Sequence, residues 1–253
     1  MSLSIDIYPT PSTVDRSLHG HVAVAVDVLR AGTTIVTALE NGAEAIAPFL
    51  DIASAHQSAQ SHANAILGGE RKGLLIEGFD LSNSPADYGK ENVAGKRVFF
   101  TTTNGTKAIE ASRTADVIAI GSFVNLTALC HYLKKCERSI SIVCAGTNGE
   151  PSLEDHLLAG SICNWFSEKE AIRLNTLGQG VQTLWRTAQR QMDQGSTLFE
   201  ILCRSQGGKN LIELEFTSDI ELAADMDQYH IVPIFDLKLG VIRTDVDLNG
   251  WPR

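Results

Sequence analysis

The chain lacks the signatures of the commonest ligand chemistries. It has no Gly-x-x-x-x-Gly-Lys-[Ser/Thr] loop, and no Gly-x-Gly-x-x-Gly follows a strand-like run, which disfavours ATP and dinucleotides. Its five cysteines form no C-x-x-C pair and are odd in number, arguing against both a zinc knuckle and a disulfide framework. Basic residues are in the minority, 21 Lys and Arg against 30 Asp and Glu, so a net charge of −9 excludes a sequence-independent grip on nucleic acid or an anionic membrane. No apolar run approaches the roughly 20 residues of a membrane helix, and Met1-Ser2-Leu3-Ser4-Ile5-Asp6-Ile7 has no basic leader. A reducing cytoplasm is the expected compartment.

What the chain has is one local idea used three times. An apolar strand runs into a Gly/Thr/Asn turn that opens a helix at Val26-Asp27-Val28-Leu29-Arg30-Ala31-Gly32-Thr33-Thr34, at Thr101-Thr102-Thr103-Asn104-Gly105-Thr106 and at Cys144-Ala145-Gly146-Thr147-Asn148-Gly149. Backbone N–H groups in such turns converge on an oxyanion, and a following helix adds partial positive charge. An anionic small molecule is the ligand these turns predict.

Strands are expected at residues 3–8, 21–26, 45–49, 96–101, 116–121 and 139–144, and helices at 34–41, 52–65, 106–112 and 126–136. Val22-Ala23-Val24-Ala25-Val26 is continuously apolar, as a strand covered on both faces must be. Residues 68–88 hold so many turn formers that they read as a long ordered loop. Ser152 with Asp155 three residues on has the form of a capping box, residues 181–200 read as helix broken at Gly195, 218–226 as helix, and 231–243 as a closing hairpin. No linker divides the chain. The expectation is a layered α/β/α unit with a mixed sheet, residues 1–253 forming one body of two similar, intimately packed halves, about 1–90 and 91–253.

Individual residues allow more than one chemistry. Asp27, at a strand end before Arg30, suits a Mg²⁺ ligand, a nucleophile or a plain ion pair with Arg30. Acids in a first helical turn, as Glu154 and Asp155 are, offset the helix dipole whatever else they do. His19-Gly20-His21 has no third ligand nearby and is excluded from the site. Cys144 stands where a nucleophile could, without a histidine in an obvious partner position.

Taken together, Val26 to Ala31 with Thr33-Thr34-Ile35, Gly69-Glu70-Arg71 with Gly78-Phe79-Asp80 and Asn83-Ser84-Pro85, the Thr101 to Thr106 turn, and Cys144-Ala145-Gly146-Thr147 with Ser152-Leu153-Glu154-Asp155 and Ala159-Gly160 resemble the 2-phosphosulfolactate phosphatase family. A fainter echo continues through Ser205-Gln206-Gly207-Gly208, Asp219-Ile220 and Val232-Pro233, while residues 178–216 match only loosely. The resemblance implies a homodimeric α/β enzyme that uses Mg²⁺ to hydrolyse 2-phospho-3-sulfolactate to 3-sulfolactate and phosphate, a step toward coenzyme M in some organisms. Carried onto this sequence, it assigns catalysis to Asp27, Arg30 and Glu154. Substrate binding falls to Arg71, Thr102, Thr103, Asn104, Gly105, Thr106 and Thr147, and Mg²⁺ to Asp27, Glu70, Asp80 and Asp155. Two other readings use the same residues: a non-catalytic binder of anionic metabolites, and a hydrolase with Cys144 as nucleophile.

Overall fold

The computed structural model describes residues 3–244. Its first half runs β1 (Leu3–Tyr8), β2 (Val22–Val26), α1 (Ala31–Glu40), β3 (Ala45–Phe49), α2 (Ile52–Ala59), β4 (Ala65–Arg71), β5 (Leu74–Leu75), α3 (Lys90–Val93), β6 (Arg97–Thr101), α4 (Gly105–Ala111) and β7 (Val117–Gly121). The second half runs α5 (Leu126–Cys136), β8 (Ile140–Cys144), α6 (Leu153–Ser167), β9 (Ile172–Leu174), α7 (Thr176–Asp193), α8 (Leu198–Cys203), α9 (Gln206–Glu213), α10 (Thr217–Ala224), β10 (Ile234–Asp236) and β11 (Val241–Arg243).

All eleven strands join one mixed sheet in the order β5-β4-β6-β3-β11-β10-β7-β2-β8-β1-β9. One parallel block is β4-β6-β3 and another is β7-β2-β8-β1-β9; the antiparallel hairpin β10-β11 joins them, and β5 folds back on β4. Strand β2 shows why its sequence does not alternate. Val22, Val24 and Val26 enter the core beneath α5, α6 and α7, whereas Ala23 and Ala25 enter the opposite core with Ile35 and Ala38 of α1. A third cluster packs α2 against β3, β4 and β6 through Ala55, Ala47, Leu67 and Phe99. Helix α6 is buried nearly all round, and Gly160 lets it approach the Val181 carbonyl of α7 so closely that a side chain there would collide with backbone.

The layered α/β architecture is the expected one, and β1, β3 and α5 match their expected limits to the residue. Two expectations need correction. Residues 68–88 are not all loop: the sheet takes Ala65–Arg71 as β4, with Gly69 at a positive φ where a Cβ would meet the Thr101 carbonyl, so the glycines that suggested a turn instead permit close strand packing. Helix α2 stops at Ala59, well short of residue 65, because Ala65 is already paired in β4. The hairpin at 231–243 forms with shorter strands, β10 and β11.

Candidate active site

The carboxyl ends of β2, β4, β6 and β8 meet around a cleft of about 360 Å³, a volume suited to a small molecule. Asp27 follows β2 directly, Glu70 is the penultimate residue of β4, Thr103 and Asn104 follow β6, and Thr147 and Asn148 follow β8; all line the cleft. Glu154 and Asp155 approach from the first turn of α6 and are almost fully buried.

Each acid is held differently. Asp27 sits under the start of α1, where the Ala31 amide favours its ionised form, and its carbonyl accepts from Gly32 N–H at 2.7 Å. Burial first, then the charges of Asp155, Glu70 and Glu154, push its carboxyl well above the usual range. Gly105 lets α4 close on it: a Cβ there would lie 2.6 Å from Asp27 Oδ2 and 2.5 Å from the Ala31 Cβ. Glu70 is pinned by three donors, accepting from Thr103 N–H at 2.7 Å, Gly73 N–H at 2.8 Å and Thr103 Oγ1 at 3.1 Å.

Asp155 closes no capping box. Ser152 is the N-cap residue of α6 but makes no side-chain cap bond, and Asp155 instead accepts from Val28 N–H at 2.9 Å and Gly146 N–H at 3.0 Å. It thereby clasps the loops leaving two adjacent parallel strands, β2 and β8. Burial raises its carboxyl to about 6, with those amide bonds pulling the other way. Glu154, raised to about 7 by burial and by Asp155, keeps a buried Oε2 with no hydrogen-bond partner. It lies behind Gly207 of α9, where any side chain would collide with its carboxylate.

The arginines depart from the expected pattern. Arg30 does not pair with Asp27: its guanidinium donates to Asp219 Oδ2 at 2.7 Å and the Gly73 carbonyl at 2.6 Å, and lies 4.7 Å from the centre of the Phe216 ring. Asp219 also accepts from Ser84 Oγ at 2.6 Å, so one buried ion pair ties α1, the 72–74 turn, the 84 segment and α10 together at the cleft wall. Arg71 does not line the cleft. It braces β4 against its neighbours by donating to Thr101 Oγ1 at 2.9 Å, to the Glu70 carbonyl at 2.7 Å and to the Leu50 carbonyl at 3.4 Å. Asp80 is exposed, and its carboxylate accepts from Leu67 N–H at 2.8 Å, outside the cleft lining. Thr102 and Thr106 are buried and bonded to each other across the first turn of α4, which shapes the turn without presenting their hydroxyls to the cleft. Cys144 is fully buried, and burial together with Asp155 pushes its thiol well above its ordinary value; this contradicts a thiolate nucleophile.

Several cleft residues were not among the candidate site residues, although Asn83 falls in the Asn83-Ser84-Pro85 stretch that carries the resemblance. Lys72 lines the cleft from the turn between β4 and β5, and Asn83 lines it with a buried Oδ1 that has no partner. Gly207, Asn210 and Leu211 of α9 close one side. Gly207 and Asp219 fell on the faint echo noted in the sequence, which was their one signal.

The chemistry of the donors fits Mg²⁺. The orphaned oxygens Glu154 Oε2 and Asn83 Oδ1 are hard ligands of the kind Mg²⁺ takes, and a cation beside Asp27 would offset the burial and the neighbouring negative charges that raise its carboxyl. Among the described residues no three His, Cys, Asp or Glu side chains form a preformed metal cage. Mg²⁺ characteristically binds through one or two carboxylates plus water and substrate phosphate.

The family model for 2-phosphosulpholactate phosphatase matches residues 8–238 of this chain. A protein of Thermotoga petrophila is 43% identical over 212 residues, covering 83% of this chain and 87% of its own length. One of Symbiobacterium thermophilum is 38% identical over 223 residues, with 87% and 93% covered, and one of Caldanaerobacter subterraneus subsp. tengcongensis is 35% identical over 246 residues, with 96% and 99% covered. All three bear the name probable 2-phosphosulfolactate phosphatase. With a family-model match spanning nearly the whole described chain and relatives 35–43% identical over most of both chains, this protein belongs to the 2-phosphosulfolactate phosphatase family.

Proposed function

We propose that this chain is a Mg²⁺-dependent phosphatase that hydrolyses 2-phospho-3-sulfolactate, or a closely related short phosphorylated acid, to the free hydroxy acid and phosphate. The observation that carries the reading is the concentration of acid at a small cleft inside a protein of its family: Asp27 and Glu70 line it, Glu154 and Asp155 stand behind it, and Glu154 Oε2 has no partner. A pure anion binder gains nothing from carboxylates beside its ligand unless a cation stands between them, which favours metal-assisted turnover over passive binding.

Asp27 and Glu154 would hold the ion, with the Asn83 carbonyl oxygen as a further donor. When bound, Mg²⁺ supplies positive charge that offsets the charge on the phosphoryl oxygens. The protein's own groups do the rest. Asn104 offers amide donors from the loop after β6, and Thr147 and Asn148 offer hydroxyl and amide donors from the loop after β8, while both donors of Thr103 are held by Glu70. Glu70 fixes the Thr103 amide, and the Arg30–Asp219 pair fixes the 72–74 turn, so these donors need no reorganisation as the phosphoryl group moves. Asp155 holds the Val28 and Gly146 amides, keeping the loops that carry Asp27 and Thr147 in register.

Phosphate release from 2-phospho-3-sulfolactate by purified protein, measured after exhaustive chelation and again after adding Mg²⁺, tests the proposal. Release that appears only with Mg²⁺ is expected. Full activity surviving chelation would remove the metal, and no release from any short phosphorylated acid would remove the function.

A further inference from the structure

Among the described residues the cleft has two cationic side chains on its wall, Arg30 and Lys72, and they are not equivalent. Arg30 is 3% exposed, and its charge is already matched by the wholly buried carboxylate of Asp219, with the Gly73 carbonyl and the Phe216 ring occupying the rest of the guanidinium. Lys72 has no acidic partner, hydrogen bond or ring contact among the described residues. Its backbone is unusual as well. Lys72 has φ 55° and Gly73 φ 81°, a pair of left-handed residues forming the two-residue turn that joins β4 to β5. Glycine, asparagine or aspartate ordinarily takes the first such position, and a lysine there is held against its preference. The turn is fastened through both backbone groups of Gly73: Glu70 Oε2 accepts from Gly73 N–H at 2.8 Å, and Arg30 donates to the Gly73 carbonyl at 2.6 Å. A free ammonium is thus carried into an acidic cleft on a rigid, conformationally disfavoured tip.

We propose that Lys72 is the specificity-determining residue for the substrate's second anionic group, the sulfonate or carboxylate that lies away from the phosphate. This inference rests on the phosphatase reading given above. A short phosphorylated acid carries negative charge at both ends. Arg71, the neighbouring residue expected to bind substrate, is turned into the sheet and bonded to Thr101, which leaves Lys72 as a cation on the cleft wall without an ion-pair partner among the described residues. An ammonium is a point charge without the fork of a guanidinium, so it accepts a sulfonate or a carboxylate alike and rejects an uncharged end.

The test compares three phosphate monoesters that differ only at the far end: 2-phospho-3-sulfolactate, 2-phosphomalate and 2-phospholactate, ending in sulfonate, carboxylate and methyl. For wild type, kcat/KM is expected to favour both charged ends over methyl, and Lys72→Gln should lower that preference at least about tenfold, mainly through KM. An unchanged preference would overturn the proposal. Lys72→Gly adds a readout that a structural role would not produce: glycine relieves the left-handed backbone, so the melting midpoint should hold or rise while the preference falls as in Lys72→Gln. A midpoint and preference that fall together in Lys72→Gly, with the preference intact in Lys72→Gln, would instead make Lys72 a turn residue. Calorimetric titration of 3-sulfolactate and of lactate into the Mg²⁺-loaded protein judges Lys72 even if none of the three esters is turned over, an outcome that would remove the phosphatase reading alone. Tighter binding of 3-sulfolactate than of lactate, lost in Lys72→Gln, supports the proposal; equal affinities in wild type overturn it.

Discussion

At the scale of single residues, the proposed chemistry separates acids that would carry charge for it from acids that organise backbone. Asp27 belongs to the first kind: burial and three neighbouring carboxylates make its ionised form costly in the metal-free protein. Asp27→Asn should therefore cut turnover by several orders of magnitude while leaving the chelated protein at least as stable as wild type, because the replacement removes a buried charge without changing shape. Steady-state kinetics with a melting curve in EDTA checks both halves; near-normal turnover would return Asp27 to the status of a strand-end acid. Arg71 is the contrasting case. Its donors are spent on Thr101 Oγ1 and on main-chain carbonyls, so Arg71→Lys should cost about 1 kcal/mol of stability in urea denaturation and change kcat/KM less than about twofold. A loss of tenfold or more would place Arg71 at the substrate after all.

At the scale of elements, the wall between α1 and α10 depends on one buried pair. Asp219 and Arg30 are 0% and 3% exposed, and Asp219→Ala would strand a guanidinium in the interior. Such a break costs roughly 3–5 kcal/mol, and Arg30→Met in the same chain should recover part of the loss because the uncompensated charge is then gone. Urea unfolding of the single and double variants measures it; strictly additive losses would show that the two residues do not act as a pair. The elements themselves were largely legible, for a physical reason. Val22-Ala23-Val24-Ala25-Val26 can only be a strand buried on both faces, and Leu126, Leu129 and Leu133 recur at helical spacing. Legibility ended where a residue's meaning depends on a distant partner. Glycines at 68 and 69 read as turn formers until β6 and Tyr88 are seen packed against them, and nothing near Arg30 in the chain foretells a carboxylate at 219. The candidate acids could be named from motifs. That Asp155 clasps two loops while Glu154 keeps an unpaired oxygen could not, since neighbours in a helix point in different directions.

At the scale of the whole molecule, the buried acids couple stability to pH in a direction opposite to ordinary acid denaturation. Glu154 is raised from 4.5 to about 7 and Asp155 from 3.8 to about 6. A carboxyl whose folded value lies above its unfolded value contributes stability that is complete below the unfolded value and is lost as pH rises through the folded one. The window for this pair therefore runs from about pH 4 to about pH 7, the metal-free protein weakening toward neutrality. His21 and His156, both lowered chiefly by burial, pull the other way over part of that range, because protonating a buried histidine favours unfolding as pH falls below 6.5. Asp51, Asp116 and Asp236, all lowered, act only nearer their ordinary value of 3.8. The carboxyl contribution is isolated by comparing wild type with Glu154→Gln in EDTA: the histidines are common to both, so the variant should gain stability relative to wild type as pH rises from 5 to 7.5. Adding Mg²⁺ should stabilise wild type more at pH 7.5 than at pH 5, since the ion competes with protons for the same oxygens, and should stabilise Glu154→Gln far less. A wild-type and variant difference that stays flat across this range would mean that Glu154 does not titrate within it, and an equal Mg²⁺ response in both proteins would move the ion away from Glu154.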